Sequence, residues 1–449
     1  MDCSVAISPE RQLLGKALVL GQTLGPAARH TLGVPALADN VWAVSIDVRL
    51  VNDAEHAAWL DQLGLAFFQH HKPGASEYYR STSETGRTRG AFDGDAVVGT
   101  LRSFGTELTV PGPRGVRASA LTAVSVAPTH RRQGLLREMI LGDLQDSKAR
   151  GEVVSVLLAS EYPIYGRFGY GPATEYASYE VATTDLRFLA PSEGTFELVD
   201  LASMRKYAPP IFEQFRKAQH GSIERDDAWW DRATRQVEVP GAEPRKGFQA
   251  VYRGSSGELE GYVFYEGKIE WSQLPAKGTL TIEEMVATTP AAYQAIWEFC
   301  FNVDLATTTV ASNRSLDEAL PFLLEDARKV RLTARTDLLW VRVLDACATL
   351  AGRRYFDDGR LVLEVSDDLS FASGRVELVA DGDNSACRAT TKTPHLTVPV
   401  QALGSAYLGG VSWTKLADAG LADEHVPGAL ALADRMFVAP RAPWCTTFF

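Results

Sequence analysis

Val124-Ser125-Val126-Ala127-Pro128-Thr129-His130-Arg131-Arg132-Gln133-Gly134-Leu135-Leu136 is the stretch on which the fold turns. Val124 and Val126 alternate with a polar residue, as in a half-buried strand. The strand runs straight into a loop, and apolar residues at helical spacing follow: Leu136, Met139, Ile140 and Leu144, closed by Gly151. A helix start presents unpaired backbone N–H groups and the positive end of its dipole, so anions sit there. Gly134 lets a ligand approach the backbone without a Cβ in the way. Arg131 and Arg132 add charge-assisted contacts.

Charge distribution points the same way. The chain has 449 residues and a formal net charge of −11, which argues against nucleic acid or an anionic membrane as the main partner. Yet Leu108–Arg137 contains no Asp or Glu and five Arg, where composition alone would place about four acids. A basic island therefore sits in an acidic protein, at a place suited to a pyrophosphate.

Outward from this stretch, Val41–Leu50 reads as a strand and Ala57–Phe68 as a helix. Gly90–Phe92 and Val97–Phe104 form a hairpin about Asp93-Gly94-Asp95. Val153–Leu158 reads as a strand buried on both faces. A second region repeats the order: hairpin arms Phe248–Arg253 and Gly261–Tyr265, a strand Leu280–Ala287 and a helix Ala291–Phe301. LTAVSVAPTHRRQGLLREM (121–139) and LTIEEMVATTPAAYQAIWEF (280–299) share strand–turn–helix punctuation, but the second lacks the arginines and the glycine. This pattern suggests a duplication in which one copy kept a ligand loop; two unrelated α/β pieces are the rival reading. The last region places strands 360–365, 374–379, 385–390 and 396–400 before helical patterns near 414–419 and 428–436, an α+β order.

Five scattered Cys (Cys3, Cys300, Cys347, Cys387, Cys445) fit reduced thiols better than a disulfide framework. Neither CxxC nor HExxH occurs and the eight His form no ligand-spaced cluster, so no metal site is expected. No apolar run reaches the roughly 18 residues of a membrane span. Residues 1–42 read as an extension outside the main domains.

A second motif follows the buried strand: Ala159-Ser160-Glu161-Tyr162-Pro163-Ile164-Tyr165-Gly166-Arg167-Phe168-Gly169-Tyr170-Gly171-Pro172. Alternating aromatic and Gly residues suit a tight loop with close backbone packing. A Tyr hydroxyl at the end of a central strand can also act as a general acid toward a thiolate.

VAPTHRRQGLL and ASEYPIYGRFGYGPAT together resemble the Eis (enhanced intracellular survival) family of GCN5-related N-acetyltransferases (GNAT). LLWVRV (338–343), LVLEVSD (361–367), LGSAYLGG (403–410) and the aromatic C-terminus extend the resemblance over residues 43–449. It implies an α+β chain: a catalytic GNAT domain over 43–190 and a degenerate one over 191–340, each a mixed central sheet flanked by helices. A sterol-carrier-protein-like α+β domain would then cover 341–449. It also implies a cytoplasmic homohexamer using acetyl-CoA, with a small amine as partner. By position, Val124 and Val126 would offer backbone groups to the pantetheine arm, and Arg131, Arg132, Gly134, Leu135 and Leu136 would frame the pyrophosphate. Leu136 departs from the small residue expected there. Tyr165 would be the general acid. The carboxylate of Phe449 would be the general base; without the resemblance, Trp444–Phe449 reads as an anchored apolar tail. The acceptor would be an aminoglycoside or another primary amine. Alternatives are a protein lysine, a polyamine, or a non-catalytic acyl-CoA or lipid-binding role. Two departures weigh against a polycationic acceptor: Phe448 stands where an acid is common in relatives, and Phe67-Phe68-Gln69-His70-His71-Lys72 carries no acid. His70 and His71 read as pocket lining or as solvated loop, Trp59 and Phe68 as core or pocket wall.

Overall fold

The structure is a computed structural model that describes residues 46–449 apart from 113, 241–245 and 273–275. The extension 1–42, Cys3 and the first part of the strand expected over 41–50 lie outside the described residues.

The first unit contains β1 (Asp47–Leu50), α1 (His56–Ala66), α2 (Ala75–Ser81), β2 (Thr88–Asp93), β3 (Ala96–Val110) and β4 (Arg114–Val126). It continues with α3 (Leu135–Ala149), β5 (Val154–Leu158), the single turn α4 (Tyr162–Tyr165) and β6 (Gly171–Pro172). The expected hairpin is β2–β3, turning at Asp93–Ala96. α3 buries Leu135, Met139, Ile140 and Leu144 against one face of the sheet, with Leu101, Leu121 and Leu157 beneath them.

The chain then changes sheet. β7 (Glu175–Ala182) belongs to a second unit with β8 (Thr195–Leu198), α5 (Leu201–Ala218), α6 (Asp227–Ala233), β9 (Phe248–Arg253) and β10 (Leu259–Glu270). β11 (Lys277–Ala287), α7 (Pro290–Phe301), β12 (Ala306–Arg314) and β13 (Val330–Asp337) complete it, in the strand order β13-β7-β12-β11-β10-β9-β8. The change of sheet falls between Pro172 and Glu175, one strand ahead of residue 191.

β14 (Leu339–Val343) returns to the first sheet and inserts between β5 and β6, giving the order β1-β2-β3-β4-β5-β14-β6. Its run Leu-Trp-Val-Arg-Val is buried on both faces, as an internal strand must be. The seam is closed by Ala173 and Thr174 N–H donating to Leu339 O at 2.9 and 3.1 Å. The two sheets are therefore sewn together by the exchange of β14.

The third unit runs α8 (Ala346–Ala351), β15 (Gly359–Ser366), β16 (Gly374–Asp381), β17 (Asn384–Ala389) and β18 (Leu396–Pro399). α9 (Val400–Ala406), α10 (Trp413–Asp418), β19 (Asp423–Glu424) and α11 (Ala429–Phe437) follow, closing around a core of Leu361, Leu363, Leu378, Leu403, Trp413 and Met436. Arg342 on β14 ties this unit to the first sheet through a buried pair with Asp367 at 2.7 Å. Cys300, Cys347, Cys387 and Cys445 are free thiols. Among the described residues no helix is long and apolar enough to cross a membrane.

Candidate active site

β4 and β5 run parallel from Ala118↔Val154 to Leu121↔Leu157, and there the ladder stops. β4 continues for five residues, Thr122–Val126. A bulge produces the divergence. On β3, Thr100 and Arg102 face Ser125 and Thr122, so β4 carries one residue more than its partner, and Ala123 takes φ +55°. Thr100 Oγ1 pins the bulge, lying 2.9 Å from Ala123 O and 2.7 Å from Ser125 Oγ. Beyond Leu121 the edge of β4 that would have met β5 is open, and an extended amide chain can add there as a strand would. Val124 and Val126 lie on this open stretch, half-buried against the α3-side core.

The basic loop follows. Pro128–His130 make a single tight turn, Arg132 takes φ +66° and Gly134 φ +86°, and α3 begins at Leu135. No side chain caps α3, so the first-turn N–H groups face the loop without a side-chain acceptor. A Cβ at Gly134 would meet nothing within 4 Å, so the space before that turn is open. Arg131 and Arg132 are exposed; Leu135 is buried and Leu136 half-buried, so these leucines anchor the loop by their side chains. His130 Nε2 lies 3.2 Å from Asp93 and ties the loop to the β2–β3 turn.

The second sheet shows the contrast. Its parallel pair β11–β12 likewise ends early, at Ile282↔Ala311. Here the following helix is capped by Thr289, which accepts from Ala292 N at 3.1 Å, and starts with Pro290. Buried Arg314 donates to Met285 O at 3.0 Å and pairs with buried Glu318 at 3.0 Å. In this copy the helix start carries a side-chain cap, and a buried arginine bonds to the carbonyl of Met285 on β11.

Tyr165 ends α4, directly after β5. It is buried, with the Tyr170 ring edge-on at 6.1 Å, and Tyr170 shares a 2.7 Å hydrogen bond with Ser155. Burial, reinforced by the nearby Glu161 carboxylate, pushes the Tyr165 phenol up to about 12, which keeps it protonated. The glycines of this motif are packing sites as well as turn formers: a Cβ on Gly171 would lie 2.0 Å from Gln401 O, where α9 of the third unit crosses.

The chain end reaches the same sheet. Segment 219–225 of the second unit lies along β3, with Gly221 N–H donating to Thr109 O at 2.8 Å and Thr109 N–H to Ser222 O at 2.9 Å. The C-terminal tail lies on that segment. Trp444 N–H donates to His220 O at 3.0 Å, Ser222 Oγ to Trp444 O at 3.0 Å, and Arg225 to Thr447 Oγ1 at 2.9 Å and Thr446 O at 3.1 Å. Phe449 is half-buried, its ring perpendicular to Phe104 at 5.4 Å. Phe448 points outward, 52 % exposed, which leaves the terminal residue as the one turned inward. Tyr165 belongs to the apolar cluster that includes Leu157, on the α3 side; Phe449 belongs to the cluster that includes Leu158, on the opposite side. Two residues far apart in sequence thus pack in apolar clusters on opposite faces of the first sheet.

Trp59 is core, with its indole N–H donating to Arg89 O at 2.7 Å, whereas Phe68 is 98 % exposed. His70 is exposed and His71 half-buried against the Tyr79 ring at 6.1 Å. Sequence reasoning passed over Arg225, which grips the tail, and Arg102 and His56, which lie on the Phe449 side of the sheet. Single residues without spacing gave it no signal.

Residues 47–173 and 221–343 each match a family described as an acetyltransferase (GNAT) domain, and 346–446 match a sterol carrier protein domain. An uncharacterized N-acetyltransferase of Streptomyces avermitilis is 38% identical over 412 residues, covering 90% of this chain and 99% of its own. N-acetyltransferase Eis of Mycobacterium tuberculosis is 32% identical over 339 residues, covering 74% of this chain and 80% of its own. The crystal structure of Eis1 from Mycobacterium abscessus matches with a TM-score of 0.81 at 33% identity, covering 90% of this chain and 100% of that one. The first sheet leaves a strand edge open beside an uncapped helix, whereas in the second the helix is capped by Thr289. The chain belongs to the Eis family of GCN5-related N-acetyltransferases, built as two acetyltransferase folds followed by a sterol-carrier-like domain, with acetyl-CoA as acyl donor.

Proposed function

We propose that the first sheet transfers an acetyl group from acetyl-CoA directly to a primary amine, with Tyr165 as general acid and the Phe449 carboxylate as general base. The observation that supports this reading is that Tyr165 and Phe449 belong to apolar clusters on opposite faces of the first sheet, whose β4–β5 ladder stops at Leu121↔Leu157. The bound thioester supplies an activated acetyl group, and the chain's own groups do the rest. Backbone groups of Val124 and Val126 hold the pantetheine arm, and an N–H of that stretch faces the developing oxyanion. Arg131, Arg132 and the backbone of Gly134, Leu135 and Leu136 hold the pyrophosphate. The Phe449 carboxylate takes the proton of the attacking amine. The Phe449 ring packs edge-on against Phe104, which anchors the end of the chain on this face. Tyr165 gives its proton to the departing thiolate. No covalent enzyme intermediate is needed, because positioning and proton transfer suffice.

The second unit then serves to hold the tail, through 219–225, and the third supplies that tail. Aminoglycosides, polyamines and protein lysines are the acceptor classes to compare. By family resemblance we further propose a cytoplasmic homohexamer, which light scattering of the purified chain tests. The central experiment is thiol release from acetyl-CoA across a panel of amines. Release of CoA dependent on amine supports the reading; acetyl-CoA binding without release by any amine replaces it with a binding module.

A further inference from the structure

The side of the first sheet that holds Phe449 carries a charge that the chain does not neutralise. Along β3, Leu101 and Ser103 face α3, since Leu101 lies in the α3 core and Ser103 Oγ donates to Asp143 at 2.6 Å. Arg102 and Phe104 alternate with them and therefore face the other side, where Phe104 meets Phe449. Arg102 is thus one step along the same strand face from the residue that contacts the chain end.

Elsewhere this protein balances its buried arginines. Arg87 pairs with Glu152 at 2.5 Å, Arg216 with Glu107 at 2.9 Å, Arg225 with Glu284 at 2.9 Å, Arg314 with Glu318 at 3.0 Å and Arg342 with Asp367 at 2.7 Å. Arg353 is met by backbone carbonyls, including Phe437 O at 2.8 Å and Arg354 O at 3.1 Å. Arg102 differs. Its one hydrogen bond among the described residues goes to a neutral group, Ser83 Oγ at 3.2 Å, and no carboxylate pairs with it. Its charged neighbours are another arginine, Arg232 on α6, and Asp226, an exposed carboxylate already engaged in capping α6 at Trp229 N, 2.7 Å. The Tyr78 and Tyr79 hydroxyls also lie near enough to act on it electrostatically. Arg232 likewise has no carboxylate partner among the described residues. The acids nearby are taken by other cations: Asp53 by Arg80 at 3.3 Å, Glu84 by Arg87 at 2.5 Å and Asp231 by Arg205 at 2.6 Å. Arg102 is largely surrounded by protein yet keeps partial contact with solvent.

A second observation is independent of the arginines. His56, at the start of α1, is only 6% exposed, and neither of its ring nitrogens has a hydrogen-bond partner. It lies near enough to Arg102 to feel that charge, and burial keeps it neutral, with one N–H to donate and one lone pair to accept. Burying such a ring unpartnered is costly, so a polar group brought beside it would be favoured.

We propose that the acceptor amine also bears a carboxylate, which binds Arg102 with Arg232 and His56 alongside, while its amine is directed to the Phe449 end of the cleft. A guanidinium receives a carboxylate through two parallel hydrogen bonds, so the contact orients as well as attracts. The same cations repel a polycation, in keeping with the acid-free segment Phe67–Lys72 and with Phe448 at the tail. This inference rests on the acetyl-transfer reading for the location of the acceptor site.

The test compares matched pairs on the full chain loaded with CoA. Phenylalanine is set against phenylalaninamide, and 6-aminohexanoate against its amide, by calorimetric titration and by thiol release with acetyl-CoA. The expected result is at least tenfold tighter binding of one carboxylate over its amide, and a matching preference in kcat/KM. In Arg102→Leu that preference falls to near one, and Arg102→Lys keeps part of it. Equal or tighter binding of both amides by the wild-type chain overturns the proposal, and this holds even if Arg102→Leu does not fold. Absence of thiol release with every amine, alongside a retained carboxylate preference in binding, would instead count against acetyl transfer.

Discussion

Arg225 Nε donates to Thr447 Oγ1 at 2.9 Å, two residues before the end of the chain, while the other guanidinium nitrogens hold Glu284 at 2.9 and 3.1 Å. A residue of the second unit thereby fixes a tail that starts in the third and ends on the sheet of the first. The side chain of Arg225 is fully buried, and it lies 3.8 Å over the Trp229 ring. Removing it leaves the half-buried Glu284 beside the Tyr262 hydroxyl without its counter-ion. Breaking such a pair costs about 3–5 kcal/mol. Arg225→Met is expected to lower the melting temperature and to reduce kcat at least tenfold, with acetyl-CoA affinity unchanged. Steady-state kinetics with a direct acetyl-CoA titration checks this; a loss confined to acetyl-CoA binding would contradict it.

The proposed base is an end group, so it can be moved without altering any side chain. Adding Gly-Ser-Gly after Phe449 displaces the carboxylate and leaves the Trp444 and Thr447 anchors in place. General-base catalysis typically contributes about 10²–10⁴-fold. The extended chain should therefore lose at least a hundredfold in kcat. Unchanged turnover would show that the base lies elsewhere.

Tyr165 is the proposed proton donor, and burial moves its ionisation far above neutrality. With the phenol pushed up to about 12 by burial, it stays protonated and competent through the physiological range. Its own ionisation should cause no fall in kcat until the pH approaches that value. Tyr165→Phe is expected to lower kcat by about 10²-fold, within the range for a lost general acid, while leaving acetyl-CoA affinity close to normal. Turnover undiminished in Tyr165→Phe would contradict the assigned role, whereas an alkaline limb near pH 9 that disappears in that variant would keep the role and show a less raised phenol.

The sequence made the punctuation of the site readable but not its closure. Val124–Leu136 announces strand, loop and helix because a period of two gives way to helical spacing at Gly134, and these are local facts. The second copy was legible for the same reason, down to its missing glycine. The insertion of Leu339–Val343 between β5 and β6 was not, since a buried apolar strand carries no mark of its neighbour. Nor was the placement of Glu175–Ala182 in the second sheet, whose alternation fits either sheet. Arg102, Arg225 and His56 became visible only as partners, paired or missing, in three dimensions.

The basic loop should be tested apart from the chemistry. Gly134 adopts φ +86°, and a Cβ there meets no atom, so Gly134→Ala acts through backbone strain of roughly 1–2 kcal/mol and through the approach of the ligand. Arg131 and Arg132 are exposed and leave no buried partner behind when removed. The double variant Arg131→Ala/Arg132→Ala is expected to fold normally, to weaken acetyl-CoA at least tenfold, and to flatten the salt dependence of that affinity. Affinity and salt dependence equal to wild type would remove the arginines from the pyrophosphate site.

His220 gives a pH test of how the tail is held. Its carbonyl receives Trp444 N–H at 3.0 Å, and its imidazole is 7% exposed with Nε2 unpartnered. Burial, helped by the Arg353 charge, lowers its pKa from 6.5 to about 4, against a weaker opposing hydrogen bond to the Arg441 backbone. Between those two values the unfolded chain binds a proton that the folded chain does not. Stability from this residue is therefore complete above about pH 6.5 and is lost as the pH falls toward 4. At about 1.4 kcal/mol per pH unit, lowering the pH from 7 to 5 should cost roughly 2 kcal/mol at this one site. His220→Phe, which cannot take up that proton, is expected to show a smaller fall in melting temperature over the same interval. Its acid sensitivity, compared with wild type by thermal melts at pH 7 and pH 5, decides the matter: equal slopes would mean that another group loosens the tail.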